Sequence, residues 1–221
     1  MQILGDWDVK KFALVAILLA FVGIVAVSPV HANLINNGGF ESPPITADSW
    51  QNFAGTGLPD WTIVTNNVDI VSNHWSGQTA YEGKQWLDLV GYGSTGAISQ
   101  TFQIVAGQTN TLSFAYANNP GNAPSSATVS ITDNLGNYLL SPQTITHSSS
   151  TNSNLDWSTF SATFTVVTSG TATLLFNETA GGGNAGIYLD NINVPLPGAV
   201  WLLGSGLVGL GLLRRKWGVK K

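Results

Sequence analysis

Gly91-Tyr92-Gly93-Ser94-Thr95-Gly96-Ala97-Ile98-Ser99-Gln100-Thr101-Phe102 sets two fold classes against each other. Its first six residues satisfy G-x-G-x-x-G and follow a β-rich run, Gln85 to Val90, as the phosphate loop of a dinucleotide-binding α/β unit does. That fingerprint works only where a helix N-terminus follows the glycines and holds the pyrophosphate. Here the next residues alternate small or apolar with polar side chains, which is the period of a strand. The glycines are therefore expected in a β-turn and the domain in the all-β class. Gly204, Gly206 and Gly209 repeat the spacing inside the C-terminal apolar run, where they read as small residues on a membrane helix.

Outward from this stretch the chain keeps the same grammar. Further β-rich runs fall at Trp61–Thr65, Val68–Val71, Gln85–Val90, Ala97–Val105, Asn110–Ala117, Ala127–Thr132, Tyr138–Ile145, Phe160–Val167, Thr171–Phe176 and Gly186–Val194. Asn, Gly, Ser and Pro fill the gaps, and no segment between the ends holds helical periodicity over three turns. This spacing predicts a two-sheet antiparallel jelly-roll sandwich. Asn118–Ser126 and Thr146–Asp156 read as polar loops too hydrophilic for a core.

The two ends read differently. Lys10 and Lys11 precede an uncharged apolar run, Phe12 to Val27, and Ser28-Pro29-Val30-His31-Ala32 offers Val and Ala at the −3 and −1 positions of a signal-peptidase cut after Ala32. A retained anchor is the alternative. At the other end come Val194-Pro195-Leu196-Pro197, an uncharged run from Ala199 to Leu213, and a tail over 214–221 with five cations. The prolines bar a continuous helix or central strand. The cations place the tail on the cytoplasmic side of a membrane and the bulk of the chain outside. The expected organisation is thus a leader (1–32), a sandwich domain (33–193) and a sorting segment (194–221).

Between those ends lie ten acids and a single base, Lys84, for a net charge of −9. A nucleic-acid partner is excluded, since phosphates need cations to neutralise them. The chain has no cysteine, so an exported domain of this kind must rely on its core and on any bound metal. Of the three histidines only His74 and His147 fall outside the leader, and they sit in separate polar segments without a nucleophile elbow or a zinc spacing. A carboxylate pair for glycoside hydrolysis is the one enzymatic alternative the acids leave open. The reading is of a protein that is not an enzyme.

Residues 194–216 resemble the PEP-CTERM sorting signal, with its Pro-x-Pro motif, apolar helix and arginine cluster, although Leu196 stands where Glu is usual. The resemblance implies an exosortase-type membrane protease as partner, with Val194, Pro195, Leu196 and Pro197 as the recognition region. It also implies transient anchoring followed by delivery to the cell surface or extracellular matrix. An ordered set of segments runs through the domain: Asn33–Glu41, Trp61-Thr62, Tyr81–Leu89, Ile98–Phe102 and Tyr188–Ile192. This set resembles the choice-of-anchor C family, is similar to the DUF642 proteins, and is more distantly similar to the carbohydrate-binding modules attached to xylanases.

That likeness implies a galactose-binding-like sandwich with an extracellular binding role. It also implies a structural calcium ion held by Gly39, Glu41, Glu82, Gln85 through its backbone carbonyl, and Asp190. A hard cation takes six to eight oxygens, and converging carboxylates repel without one. The other reading of Glu41 and Asp190 is that they accept backbone N–H groups in turns.

For a polysaccharide ligand, sugar rings stack on exposed aromatics and their hydroxyls are read by carboxylates and amides. Trp61 and Trp157 begin strands and are expected in the core. Trp86 alternates with Leu87, so it faces the other sheet surface beside Asp88. Trp86, Trp75, Tyr92 and Asp88 form the candidate sugar platform, with a buried second-face cluster as the alternative for Trp86. A structural or adhesive protein acting through protein contacts is the competing functional class.

Overall fold

The computed structural model describes residues 33–196. The leader, Pro197, the apolar run over 199–213 and the basic tail lie outside the described residues. The strands are β1 (Trp50–Ala54), β2 (Thr62–Thr65), β3 (Asn67–Ser72), β4 (Gln85–Asp88), β5 (Val90–Gly91), β6 (Ser94–Thr95), β7 (Ala97–Ile104), β8 (Thr109–Asn118), β9 (Ser125–Asp133), β10 (Tyr138–His147), β11 (Ser158–Thr165), β12 (Gly170–Glu178) and β13 (Ile187–Asn193). They build a six-stranded sheet, β1-β3-β4-β13-β8-β11, and a five-stranded sheet, β10-β9-β12-β7-β2. Every pairing is antiparallel. The fold is a two-sheet antiparallel sandwich.

The G-x-G-x-x-G stretch is a miniature hairpin. Val90 pairs with Thr95 and Gly91 with Ser94, with Tyr92-Gly93 at the tip. Gly93 sits at φ 80°, a conformation an L side chain adopts only with strain. Thus β7 follows a turn and no helix opens there. Among the described residues the only helical element is a three-residue 3-10 turn, Trp75–Gly77.

Alternation along the strands decides what enters the core. Ile70, Leu87, Leu112, Phe114 and Leu189 from the six-stranded sheet meet Ile98, Phe102, Val129, Ile131, Leu174 and Phe176 from the five-stranded one, all buried. Trp61 lies in this layer, 5.6 Å from Phe40 and 6.5 Å from Phe176, as its strand-initiating position suggests. Trp157 does not. It is half-buried on the opposite face, because it precedes β11 on the outer side of the six-stranded sheet.

Two further differences have plain causes. β1 is absent from the sequence reading because Trp-Gln-Asn-Phe-Ala on a sheet edge buries only Phe53 and so shows no alternation. The segments Asn118–Ser126 and Thr146–Asp156 are loops at their middles, yet Asn118, Ser125, His147 and Leu155 are buried. Burial is possible there because the polar atoms bond internally: Asn118 Nδ2 donates to the Asn119 and Asn122 carbonyls, and its Oδ1 accepts the Ser150 N–H.

The sandwich closes on its own ends. Asn33 bridges to Pro195, the Leu34 N–H donates to the Val194 carbonyl at 2.9 Å, and the Val194 N–H donates to Asn33 Oδ1 at 2.8 Å. Val194, placed by the sequence reading at the head of the sorting motif, is a core residue.

Candidate functional site

The outer face of the six-stranded sheet carries polar residues in register. Asn52 of β1 faces Asp69 of β3, Asp69 faces Asp88 of β4, and Asp88 faces Tyr188 of β13. One step along, Trp50 pairs with Val71 and Val71 with Trp86. A sheet face left to itself would be wet. Here it is roofed by the β3–β4 connection and the β10–β11 loop, whose Trp75, Ala80, Leu155 and Trp157 pack on Val71, Trp86, Ala117 and Tyr188.

The roof corrects one expectation. Trp86 is 0% exposed and meets Tyr188 edge-on at 5.6 Å, while Trp157 covers Tyr188 at 6.4 Å. A buried indole cannot offer a stacking face, so Trp86 belongs to the packed cluster under the roof and is no platform. Its alternation with Leu87 is as the sequence reads; the cover over it comes from residues 75–80 and 155–157, far off in sequence.

Beside this cluster a cavity of about 250 Å³ opens. Trp50, Trp75 and Tyr92 line it as aromatic walls, and Asp69, Asp88, Asn119 and Asn184 supply polar atoms. Of the expected platform, then, Trp75, Tyr92 and Asp88 come together. Tyr92, at the hairpin tip, is 73% exposed, and the Gly93 N–H donates to Asn184 Oδ1 at 2.5 Å. Trp75 is half-buried.

The two acids are held in place by amides. Asn52 Nδ2 donates to Asp69 Oδ1 at 2.6 Å, and Asn119 Nδ2 to Asp88 Oδ2 at 2.8 Å. Asp88 Oδ1 accepts the N–H groups of Val90 (2.9 Å) and Gly186 (3.1 Å). Burial pushes the Asp88 carboxyl well above its ordinary range, with the charges of Asp69 and Glu178 adding to it, and burial raises Asp69 as well. Burial likewise pushes the Tyr188 phenol well up, and its hydroxyl donates to Gln78 Oε1 at 3.1 Å. The site therefore presents fixed oxygen acceptors and amide groups beside aromatic faces.

Several of these residues escape the sequence reading. Asp69 could have been found, since it interrupts the apolar run Val68-Asp69-Ile70-Val71 at an outward position, as Asp88 does in β4. Trp50 is among the aromatics the domain offers for stacking, but its edge strand gives it no place on a face, and Asn184 sits in a glycine-rich loop that gives no signal. Asn118 and Gln100, similar in type to sugar-reading residues, are structural: Gln100 brackets Asn36, accepting its N–H at 2.8 Å and donating to its carbonyl at 2.9 Å.

Of the calcium set, Gly39, Glu41 and Glu82 line one pocket with Gly83 and Asn191. Glu41 and Asp190 converge on Gly39, where a Cβ would lie 3.9 Å from Glu41 Cγ and 3.8 Å from Asp190 Oδ1. Glu41 Oε1 accepts the Lys84 and Gln85 N–H groups at 2.5 and 2.9 Å, and Asp190 accepts those of Glu82 and Asn191 at 3.0 and 2.7 Å. Glu82 contributes its backbone to Asp190 while its side chain is exposed. The Gln85 carboxamide is committed to Phe40, Pro43 and Ile45. Among the described residues no three metal-ligating side chains form a group. Burial, helped by the charge of Glu41, pushes Asp190 up to about 7, so a hard cation at this pair would relieve an unfavourable arrangement.

No curated protein sequence matches the chain. Among solved structures it is similar to an arabinose-bound MgGH51 α-L-arabinofuranosidase, at 13% identity and a TM-score of 0.51, over 75% of this chain and 26% of that one. It is also similar to TmCBM61 in complex with β-1,4-galactotriose (17% identity, TM-score 0.49, 74% of this chain, 97% of that one). A third similarity is to a family 16 carbohydrate-binding module (22%, 0.45, 74% and 100%). The first of these supports the sandwich fold alone. Residues 33–194 match the DUF642 family of proteins of unknown function along the whole of this sandwich, and the chain belongs to that family.

Proposed function

We propose that the protein is a non-catalytic carbohydrate-binding module of the cell surface or extracellular matrix, and that the outer-face cavity is its glycan site. The observation that carries this is the placement of Trp50, Trp75 and Tyr92 around Asp69, Asp88 and Asn119 in one cavity. Sugar rings need an apolar face to stack on and anchored acceptors for their hydroxyls. At about 250 Å³ the cavity falls below the roughly 300–1,000 Å³ of drug-sized sites, which suits one or two sugar rings of a longer chain.

The charge of the lining narrows the ligand class. Two acids and no cation line the cavity, and Lys84, the only base in the domain, lines a different pocket with Glu41 and His74. A uronate or sulfated polymer would find no cation in this lining to pair with. The ligand is therefore a neutral polysaccharide. Affinity electrophoresis through galactan, xylan, glucan and polygalacturonate gels tests this. Retardation by at least one neutral polymer, without release of new reducing ends, is the expected result. No retardation by any of them would sink the reading.

The targeting reading belongs to the same proposal. A signal peptidase would remove residues 1–32. An exosortase-type protease would act at Val194–Pro197 after the 199–213 segment has held the protein in the membrane, leaving it at the surface or in the matrix. We further propose that calcium binds at Glu41 and Asp190 beside Gly39 and ties the N-terminal loop to β13. Calcium should raise the melting temperature of the wild type and not that of Glu41→Gln; an equal rise in both would remove the site.

A further inference from the structure

We infer that the turn end of the sandwich is a lipid-facing surface that rests on the zwitterionic membrane into which the chain's C-terminal segment leads. Three adjacent turns make up this end: the β9–β10 hairpin turn and the β7–β8 and β11–β12 turns, which cross from one sheet to the other. The Ala106 N–H donates to Ser169 Oγ at 2.8 Å, the Gly107 N–H donates to the Val166 carbonyl at 2.8 Å, and Gly170 packs against Asn134. Each turn sets an aliphatic side chain into solvent at a place where turns favour small polar residues: Val105 (53% exposed), Leu135 (78%) and Val167 (84%). Tyr138, at the start of β10, is exposed beside them. Single exposed apolar residues are ordinary, but three on contiguous turn tips form a patch.

The occupant is argued from where the described chain leaves off. β13 starts with Ile187 opposite Asn118 and ends with Asn193 opposite Ser113, so it runs toward the end of β8 at which the β7–β8 turn lies. Val194 and Pro195 continue from it, with Pro195 held against Asn33. From Val194 to Leu213 the chain has no charged side chain, and five cations come after it. Three residues from Leu196 to Ala199 span at most about 10 Å. Given the reading of 199–213 as a membrane segment, on which this inference rests, the domain cannot stand far off the bilayer, and the turn end is the part turned toward it.

Charge selects the kind of lipid. The three turns carry no base, and their one acid, Asp133, is used by its own turn, accepting the Leu135 and Asn137 N–H groups at 2.9 and 2.8 Å. Nothing there would draw anionic headgroups, whereas Val and Leu tips with a flanking Tyr suit the interfacial zone of a neutral bilayer.

The chain's lack of cysteine makes the test clean. Full-length protein with Leu135→Cys carrying an environment-sensitive dye is reconstituted into phosphatidylcholine vesicles, and Ser153→Cys, in the loop at the opposite end, serves as control. The expected result is a blue shift and quenching by lipid-borne quenchers at position 135, with position 153 open to aqueous iodide. Vesicles that float with the protein while both labels stay aqueous would overturn the lipid-facing surface and leave the anchor intact. Protein that fails to float would remove the anchor reading and the surface with it. A shift at position 135 that grows with protein concentration in detergent, without a bilayer, would assign the patch to a second copy of the chain and also overturn the proposal. As a second variant, Leu135→Ser with Val167→Ser should cancel lipid quenching of a Val105→Cys label at an unchanged melting temperature.

Discussion

Leu87 and Asp88 are consecutive residues of β4, both buried, and they face opposite sides of one sheet. Leu87 joins an apolar layer with Leu189, its cross-strand partner, and with the five-stranded sheet beyond. Asp88 faces Asp69 and Tyr188 under a roof of loops that leaves one side open as the cavity. The inner face is closed by a second sheet of apolar side chains, and what it supplies is packing. The outer face is closed by aromatic side chains at an edge, so polar groups are buried next to an opening. What separates a core from a site in this sandwich is the kind of cover, since burial itself is alike on both faces.

The largest effect on this comparison should come from the inner face. Leu87→Ala would leave a cavity in a fully packed layer and cost about 2–5 kcal/mol in urea unfolding. Glycan affinity per folded molecule should stay as in the wild type; a matching loss of affinity would mean that the two faces are not separable. Next comes the one acid on the inner side. Glu178 ends β12 in the alternation of Leu174 and Phe176, and burial pushes its carboxyl up from 4.5 to about 7. Its Oε2 accepts the Ile187 N–H at 3.0 Å, Oε1 has no partner, and Gly186 lets the chain pass close by. The charge of Glu178 adds in turn to the upward push on the buried Asp88.

The sign comes from linkage. The folded state holds its proton up to about pH 7 and the unfolded chain only up to about 4.5, so stability is greatest at or below 4.5 and falls as pH rises through 7. The share from Glu178 is at most about 3 kcal/mol. Melting curves in chelator from pH 4.5 to 8 should show the fall in wild type and a visibly flatter profile in Glu178→Gln. Identical profiles would place the titration elsewhere.

Much of the fold could be read from period-two patterning, because a strand with one face in a core must alternate. β7, β8 and β12 do so, and the alternation of Ala97 to Phe102 separates the glycine stretch before β7 from a dinucleotide loop. β1 could not be read, since an edge strand with one buried residue carries no period. The site was half legible for a related reason. Alternation tells that Trp86 and Asp88 share the outer face, but whether that face is wet or roofed depends on Trp75, Leu155 and Trp157, which reach it from two loops far apart in the chain. Asn119 and Asn184 acquire meaning only when Asp88 and the Tyr92 hairpin tip are seen beside them.

On the outer face the effects are smaller and move from stability to binding. Asp88→Asn keeps a carbonyl oxygen for the Val90 and Gly186 N–H groups but sets an NH2 where Oδ2 accepts the Asn119 amide, and so unfastens Asn119 from the cavity wall. Leaving a buried donor without its acceptor costs about 1–3 kcal/mol, so affinity for the neutral polysaccharide should drop roughly tenfold. Polygalacturonate retardation should remain absent or become weakly detectable.

The smallest change, and the sharpest division between the two faces, is expected from Tyr92→Ala. The ring is 73% exposed on a two-residue hairpin tip, so removing it should shift stability by no more than about 0.5 kcal/mol. If a sugar on this ring gains about what an aromatic pair gains beyond area burial, roughly 0.5–1.5 kcal/mol, polysaccharide affinity should fall about two- to tenfold with an unaltered melting curve. A variant that binds as tightly as the wild type would take the hairpin out of the site and leave Trp50 and Trp75 as its aromatic walls. A variant that loses stability instead would mean that the hairpin braces the sandwich, and the line drawn between packing inside and recognition outside would have to move to the half-buried Trp75.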